Sequence, residues 1–221
     1  MTPRQHPSEA TLLAYAAGSL TEALALVTAS HLSYCPDCRH QVAEAEAIGG
    51  SMLESLAPVA LETTARDRVF ALLDRPEARL AARPTQPFQP VDPRLPAPLA
   101  RYLHGGLENI PWRFLAPGIR HFEVLPHDVL RGGNLRILRI GPGKCLPRHG
   151  HTGTELTLVL SGSYSDELGR YGSGDIGETD DDIVHEPISG RDEDCICVIA
   201  TEGPLKFDSL LARTIQRFTG F

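Results

Sequence analysis

Apolar residues recur at helical spacing through the first third of the chain and at strand spacing beyond residue 98. Leu12, Leu13, Tyr15 and Ala16 make a stripe over residues 8–17, and Gly18 supplies a stop, because glycine readily takes the left-handed conformation that ends a helix. Ser19-Leu-Thr-Glu22 has capping-box spacing: a hydroxyl caps the helix and a carboxylate three residues on reaches back. A second helix is predicted over 20–34, with Leu20, Leu24, Val27 and Leu32 apolar. Pro36 suits the first turn of a third, running to 56, since its missing N–H costs nothing there. Val42, Ala45, Ile48 and Leu53 share one side of it. Gly49-Gly50 is a weak point or a kink, each glycine costing about 1 kcal/mol relative to alanine. Residues 63–74 form a fourth helix whose face of Val69, Phe70, Leu72 and Leu73 belongs either in the first domain's core or on a partner.

Between 76 and 98 the pattern lapses into prolines, among them Pro76, Pro84, Pro87, Pro90 and Pro93, with few large apolar residues. An extended, semi-rigid linker is expected there. After it come short β-rich runs, 134–140, 155–160 and 195–199, separated by Gly, Pro and Asp clusters, which indicate a sandwich or barrel. The expected organisation is therefore a multidomain α plus all-β chain: a helical domain over 1–75, the linker over 76–98 and a β domain over 99–221.

Composition narrows the function classes. With 42% hydrophobic and 22% charged residues in 221, the chain can bury a real core. Its net charge of −7 argues against direct nucleic-acid contact and favours a basic protein surface as partner. Residues 1–75 carry five Lys and Arg against nine Asp and Glu, so the helical part is itself acidic. Five cysteines, an odd number with two in a metal-type motif, do not look like a secreted disulfide framework. There is no apolar signal region at the N-terminus, and no run approaches the roughly 18 apolar residues of a membrane span. A cytoplasmic protein is expected.

The first candidate site is His31-x₃-Cys35-x₂-Cys38. Positions i, i+4 and i+7 face the same way on a helix, and imidazole and thiolate are the ligands that zinc takes in a tetrahedron of four. His6, just before the first helix, is the better candidate for the fourth ligand; His40 falls about 200° around the helix from Cys38. The bland alternative is a redox-active or merely buried Cys-x-x-Cys, but a thioredoxin-type motif needs a βαβ setting and this one is helical. Three short helices bury little, so the ion would act first as a staple.

A second constellation lies in the β region. His149 and His151 are two apart and share a face of a strand; Glu155 follows a turn at Gly153, and His185 is available from a neighbouring strand. Three imidazoles and a carboxylate suit Zn, Fe, Mn, Ni or Cu. His40, His104, His121 and His127 read as ordinary histidines, and Asp180-Asp181-Asp182 as an acidic turn. Cys195 and Cys197 also share one strand face; if it faces a barrel interior they lie near the metal and are candidate redox sensors, although buried free cysteine is often inert.

Both halves resemble known families. His31-x₃-Cys35-x₂-Cys38 with an upstream His resembles the zinc-binding domain of bacterial anti-sigma factors. Gly143-x₅-His149-x-His151-x₃-Glu155-x₆-Gly162 fits the first cupin motif at every named position. Gly174 and His185 fit the second, with Asp180, Asp182 and Ser189 standing where its Pro, inner Gly and final Asn usually are. A zinc anti-sigma domain, a Pro-rich linker and a cupin β-barrel (a double-stranded β-helix) in that order resemble the ChrR family of anti-sigma factors. That resemblance implies a non-enzymatic regulator of transcription. Its helical domain would bind an extracytoplasmic-function sigma factor one to one, and its zinc-binding cupin would be needed for release under photo-oxidative stress, notably singlet oxygen. The competing class is a metal-dependent cupin dioxygenase or isomerase with an accessory zinc domain, its metal keeping positions open for O₂ or substrate.

Overall fold

The computed structural model describes residues 2–74, 92–103, 105–125 and 133–207. Four helices come first: α1 (Glu9–Ala16), α2 (Glu22–Leu32), α3 (Pro36–Glu54) and α4 (Ala65–Leu73). Ser8 caps α1, its hydroxyl accepting from the Thr11 amide at 3.2 Å. The cap of α2 is Thr21, not Ser19: Thr21 is extended and accepts from the Leu24 amide. The Ser19 hydroxyl instead donates to the Ala14 carbonyl at 3.1 Å, helping to close the end of α1. Cys35 caps α3 with its sulfur, 3.4 Å from the Cys38 amide, and Pro36 takes the first turn as its sequence position predicts. Gly49 and Gly50 stay inside α3.

Residues 92–98, read from composition as linker, are packed. Leu95 is buried, and a short helix α5 (Ala97–Ala100) buries Leu99 completely. Asp92 anchors this stretch: its carboxylate accepts from Arg94 at 2.7 and 2.9 Å and from the Leu107 amide at 3.1 Å. The remaining proline-rich residues, 75–91, lie outside the described set.

Among its described residues, the β region forms twelve strands in antiparallel pairs. β1 (Arg113–Ala116), β2 (Ile119–Leu125), β3 (Asn134–Ile140), β11 (Cys195–Thr201), β5 (Glu155–Ser161) and β8 (Ile176–Thr179) make a six-stranded sheet in that order. β10 (Ile188–Ser189), β6 (Ser163–Ser165) and β7 (Arg170–Gly172) make a second, and β12 (Lys206–Phe207), β4 (His149–Gly150) and β9 (Val184–His185) a third. Gly162 joins β5 to β6 at φ 74°, where a Cβ would sit 2.5 Å from the Asp194 carbonyl; this tight corner tolerates only glycine.

Both faces of the large sheet are covered, so its central strands read as unbroken apolar runs. On β11, Cys195, Cys197 and Ile199 point into the barrel with Leu138, Ile140 and Val159. Val198 and Ala200 point out, into a core completed by Leu24 and Val27 of α2 and by Leu95 and Leu99. Helix α2 and the barrel thus share one apolar core. The distal half of α3 and all of α4 do not join it: Ile48, Met52, Leu53, Val69, Phe70 and Leu73 are each more than half exposed.

Candidate metal centres

The first centre is assembled by three chain segments. His6 sits in the extended stretch before α1, His31 in the last turn of α2, and Cys35 and Cys38 at the start of α3. One ligand atom from each lies within 4.8 Å of all the others. His6 Nδ1 is 3.4 Å from both sulfurs. A tetrahedron built on metal–nitrogen and metal–sulfur bonds of about 2.0 and 2.3 Å has edges of about 3.3 Å between nitrogens and about 3.5 Å between nitrogen and sulfur. His31 bonds the Gly174 carbonyl through Nδ1 at 2.9 Å, so that nitrogen is the donor and Nε2 has only a lone pair to offer. Nε2 is buried and has no hydrogen-bond partner, which is what a ligating nitrogen looks like. Burial pushes the His31 imidazole down to about 4, keeping it neutral. Burial, with hydrogen bonding to Cys35, pushes the Cys38 thiol up to about 12. A cation held between the sulfurs would invert that balance, because a coordinating thiol is deprotonated outright. His40 is exposed on α3, 3.2 Å from Glu44, and takes no part.

The segment carrying His6 is strapped along β8, the edge of the large sheet. Asp175 Oδ1 accepts from the Arg4 and Gln5 amides at 2.6 and 3.1 Å, and the Ile176 amide donates to the Gln5 carbonyl. Glu178 accepts from the Ser8 amide and hydroxyl and from the Thr11 hydroxyl, at 2.7–2.9 Å. With the His31–Gly174 bond, the first centre is therefore hydrogen-bonded directly to the barrel.

The second centre lies inside the barrel. β4 and β9 pair with His149 opposite His185, His151 follows β4, and Glu155 opens β5. All four are buried, with their ligand atoms again within 4.8 Å of one another. His149 donates through Nδ1 to the Pro147 carbonyl at 2.7 Å, and His185 through Nδ1 to Asp166 at 2.9 Å. Both present Nε2 inward. His151 Nε2 lies 3.1 Å from His185 Nε2, again close to a ligand–ligand edge, and His151 Nδ1 is 3.4 Å from Glu155. Burial pushes His149 down to about 4 and His151 down to about 3, and lifts the Glu155 carboxyl to about 7. Neutral imidazoles converging on a desolvated carboxyl form a donor set into which a divalent ion fits.

Asp166 is the functional residue that sequence spacing missed. It lies in the turn between β6 and β7, outside either cupin motif, and only the pairing of β6 with β10 carries it beneath His185. Burial alone would raise its carboxyl; hydrogen bonds from His185 and from the Leu168 and Gly169 amides outweigh this and hold it below its ordinary value. The motif departures also find roles. Ser189 donates to the Gly141 carbonyl at 2.6 Å and accepts from the Lys144 amide at 2.9 Å, tying β10 to the loop after β3. Asp180 accepts from the Asp182 amide, and Asp181 from the Gly153 amide at 2.6 Å, so the acidic turn braces the Gly153 corner between His151 and Glu155. Cys195 and Cys197 do share the interior face; hydrogen bonding to Cys195 and burial push the Cys197 thiol far up, so it is held protonated. His121 is buried on β2, apart from both clusters; His104 and His127 lie outside the described residues.

A helical unit with a His₂Cys₂ cluster, packed on a cupin barrel with a His₃Glu cluster, defines a two-centre regulatory architecture rather than a free-standing metabolic cupin. Residues 103–205 match the family described as the ChrR cupin-like domain. Anti-sigma-E factor ChrR of Cereibacter sphaeroides is 46% identical over 220 residues, covering 99% of this chain and 99% of that protein. In the crystal structure of Rhodobacter sphaeroides SigE in complex with the anti-sigma ChrR, a chain 43% identical superposes with a TM-score of 0.77, covering 91% of this chain and 99% of that one. The chain belongs to the ChrR family of anti-sigma factors. Among the described residues, no helix is long and apolar enough to cross a membrane.

Proposed function

We propose that this protein is an anti-sigma factor. Its α3–α4 region binds an extracytoplasmic-function sigma factor one to one and withholds it from RNA polymerase in the cytoplasm. The observation that carries this reading is full-length identity, 46%, to a protein named for that activity. The exposed apolar face of α4 supports it, because monomeric proteins rarely leave such a patch uncovered, and Asp37, Glu44, Glu46 and Glu54 of α3 against Arg39 suit a basic partner. Full-length identity to an anti-sigma factor does not favour the oxygenase reading.

His6, His31, Cys35 and Cys38 are the proposed ligands of a structural zinc, and His149, His151, Glu155 and His185 those of a second ion, zinc before iron, manganese or nickel. The first would contribute folding free energy to the helical unit. The second would make the barrel responsive, since the imidazoles are oxidisable groups, whereas Cys197, buried and held protonated, is a poorer target. Release under photo-oxidative stress is then a change that begins at the barrel and reaches the helices through β8 and α2. The test is co-expression with the cognate sigma factor. A 1:1 complex that silences a sigma-dependent promoter is expected, and Phe70→Asp with Leu73→Asp should lower affinity at least a hundredfold. A folded, metal-loaded chain that leaves transcription unaffected would refute it.

A further inference from the structure

Beside the second centre the barrel encloses about 900 Å³ of atom-free space, its open mouth included. Three members of the cluster, His149, Glu155 and His185, form one end of it; His151 does not reach it. The remaining wall is almost wholly apolar, with Leu115, Ile119, Leu138, Ile140, Ile199 and Phe207 among its side chains. Among the described residues, no charged side chain other than the cluster lines it. Of its three hydroxyls, Thr157 donates to Glu155, Ser189 donates to the Gly141 and Lys144 carbonyls, and that of Tyr164 lies against Gly177. A sugar, nucleotide or amino acid would find nothing along this wall to satisfy its polar groups, and burying them unpaired is costly. The body of a fitting ligand is therefore apolar.

The head is decided at the cluster. A divalent ion held by three neutral imidazoles and one carboxylate keeps a net charge of +1, facing an apolar cavity where an uncompensated charge is expensive. An anionic oxygen donor on the cavity side removes that cost. We infer that the barrel is a binding site for an apolar monocarboxylate, its carboxylate meeting the ion between His149, Glu155 and His185 and its hydrocarbon lying against Leu115, Leu138 and Ile199. The inference deepens the proposed function by naming what the barrel binds, and it rests on the reading of those four residues as metal ligands.

The test uses the full chain loaded with Zn²⁺ or Co²⁺. Metal analysis comes first: two equivalents per chain are expected, and one equivalent confined to the Cys-containing centre would overturn both the metal reading and this inference. With two equivalents present, calorimetric titration with hexanoate, octanoate and decanoate should give affinity rising about fourfold per methylene, the transfer of one CH₂ from water. 1-Octanol, with the same body and no anion, should bind at least tenfold more weakly than octanoate. Octanoate should also alter the visible bands of the Co²⁺ protein. Leu115→Trp, at a half-buried position where the fold can adapt, should weaken octanoate at least tenfold with both metals retained. With two metals bound, failure of millimolar octanoate to bind, affinity independent of chain length, or equal binding of octanol would each overturn the inference while leaving the metal reading intact.

Discussion

The His31 ring serves two elements at once, offering Nε2 to the first centre while Nδ1–H holds the Gly174 carbonyl of the barrel. His31→Ala is therefore expected to differ from Cys35→Ser. Both should lose the first equivalent of metal, read by metal analysis, but only His31→Ala should also loosen the β7–β8 corner, read as faster amide exchange around Gly174. At the second centre, Asp166→Asn removes the negative charge that accepts from His185 Nδ1–H and steadies its tautomer, leaving only a neutral amide in its place. Metal affinity there should fall about 10–100-fold with the fold intact, measured by competition with a chelator. Asp92 makes a pH prediction. Hydrogen bonding from Arg94 holds its carboxyl down at about 2 against an ordinary 3.8, so its stabilising contribution is full above pH 4 and is lost as pH falls towards 2. Acid titration of stability should show a loss in that window that Asp92→Asn lacks.

Helix α2 and strand β8 are the elements through which the two centres meet. α2 is buried on the barrel side, where Leu24 is only 1% exposed. Leu24→Ala should cost about 2–5 kcal/mol in denaturant unfolding, the usual cost of a large-to-small change in a core. β8 would be an open sheet edge without the strap of residues 4–8. Asp175→Asn with Glu178→Gln weakens that strap while touching no proposed ligand. The double variant should retain both metals yet respond to photo-oxidative stress differently from the wild type, read from a sigma-dependent reporter. An unchanged response would show that the strap merely covers an edge. α3 and α4 contrast with these elements: their apolar stripes were legible from periodicity, but whether α4 packed inward or stayed free was not, because periodicity shows that a face exists and not what covers it.

At the scale of the molecule, a break in composition does not coincide with a break in packing. Residues 92–98 look like linker because prolines are frequent, yet Leu95, with Leu99 just beyond them, seals the core between α2 and the sheet. Residues 1–85 alone should still bind the sigma factor, since α3 and α4 face away from the barrel, but the fragment would expose Ala23, Leu24 and Val27 and should unfold at lower temperature than the whole chain. Pull-down and thermal melting check the two halves of that expectation.

Both four-residue clusters could be read from the chain alone, because ligand chemistry is carried by residue type and because short helical and strand spacings place near neighbours on one face. His6 was already harder, being 25 residues from His31, and the Cys195–Cys197 interior face was legible only conditionally. Tertiary structure alone decided the rest: that Asp166 orients His185, that Gly174 ties the first centre to the barrel, that the barrel keeps an apolar cavity beside its cluster, and that none of the described residues covers α4. These depend on contacts between residues far apart in the chain. No local periodicity encodes them; they are set by which faces the whole fold can bury at once.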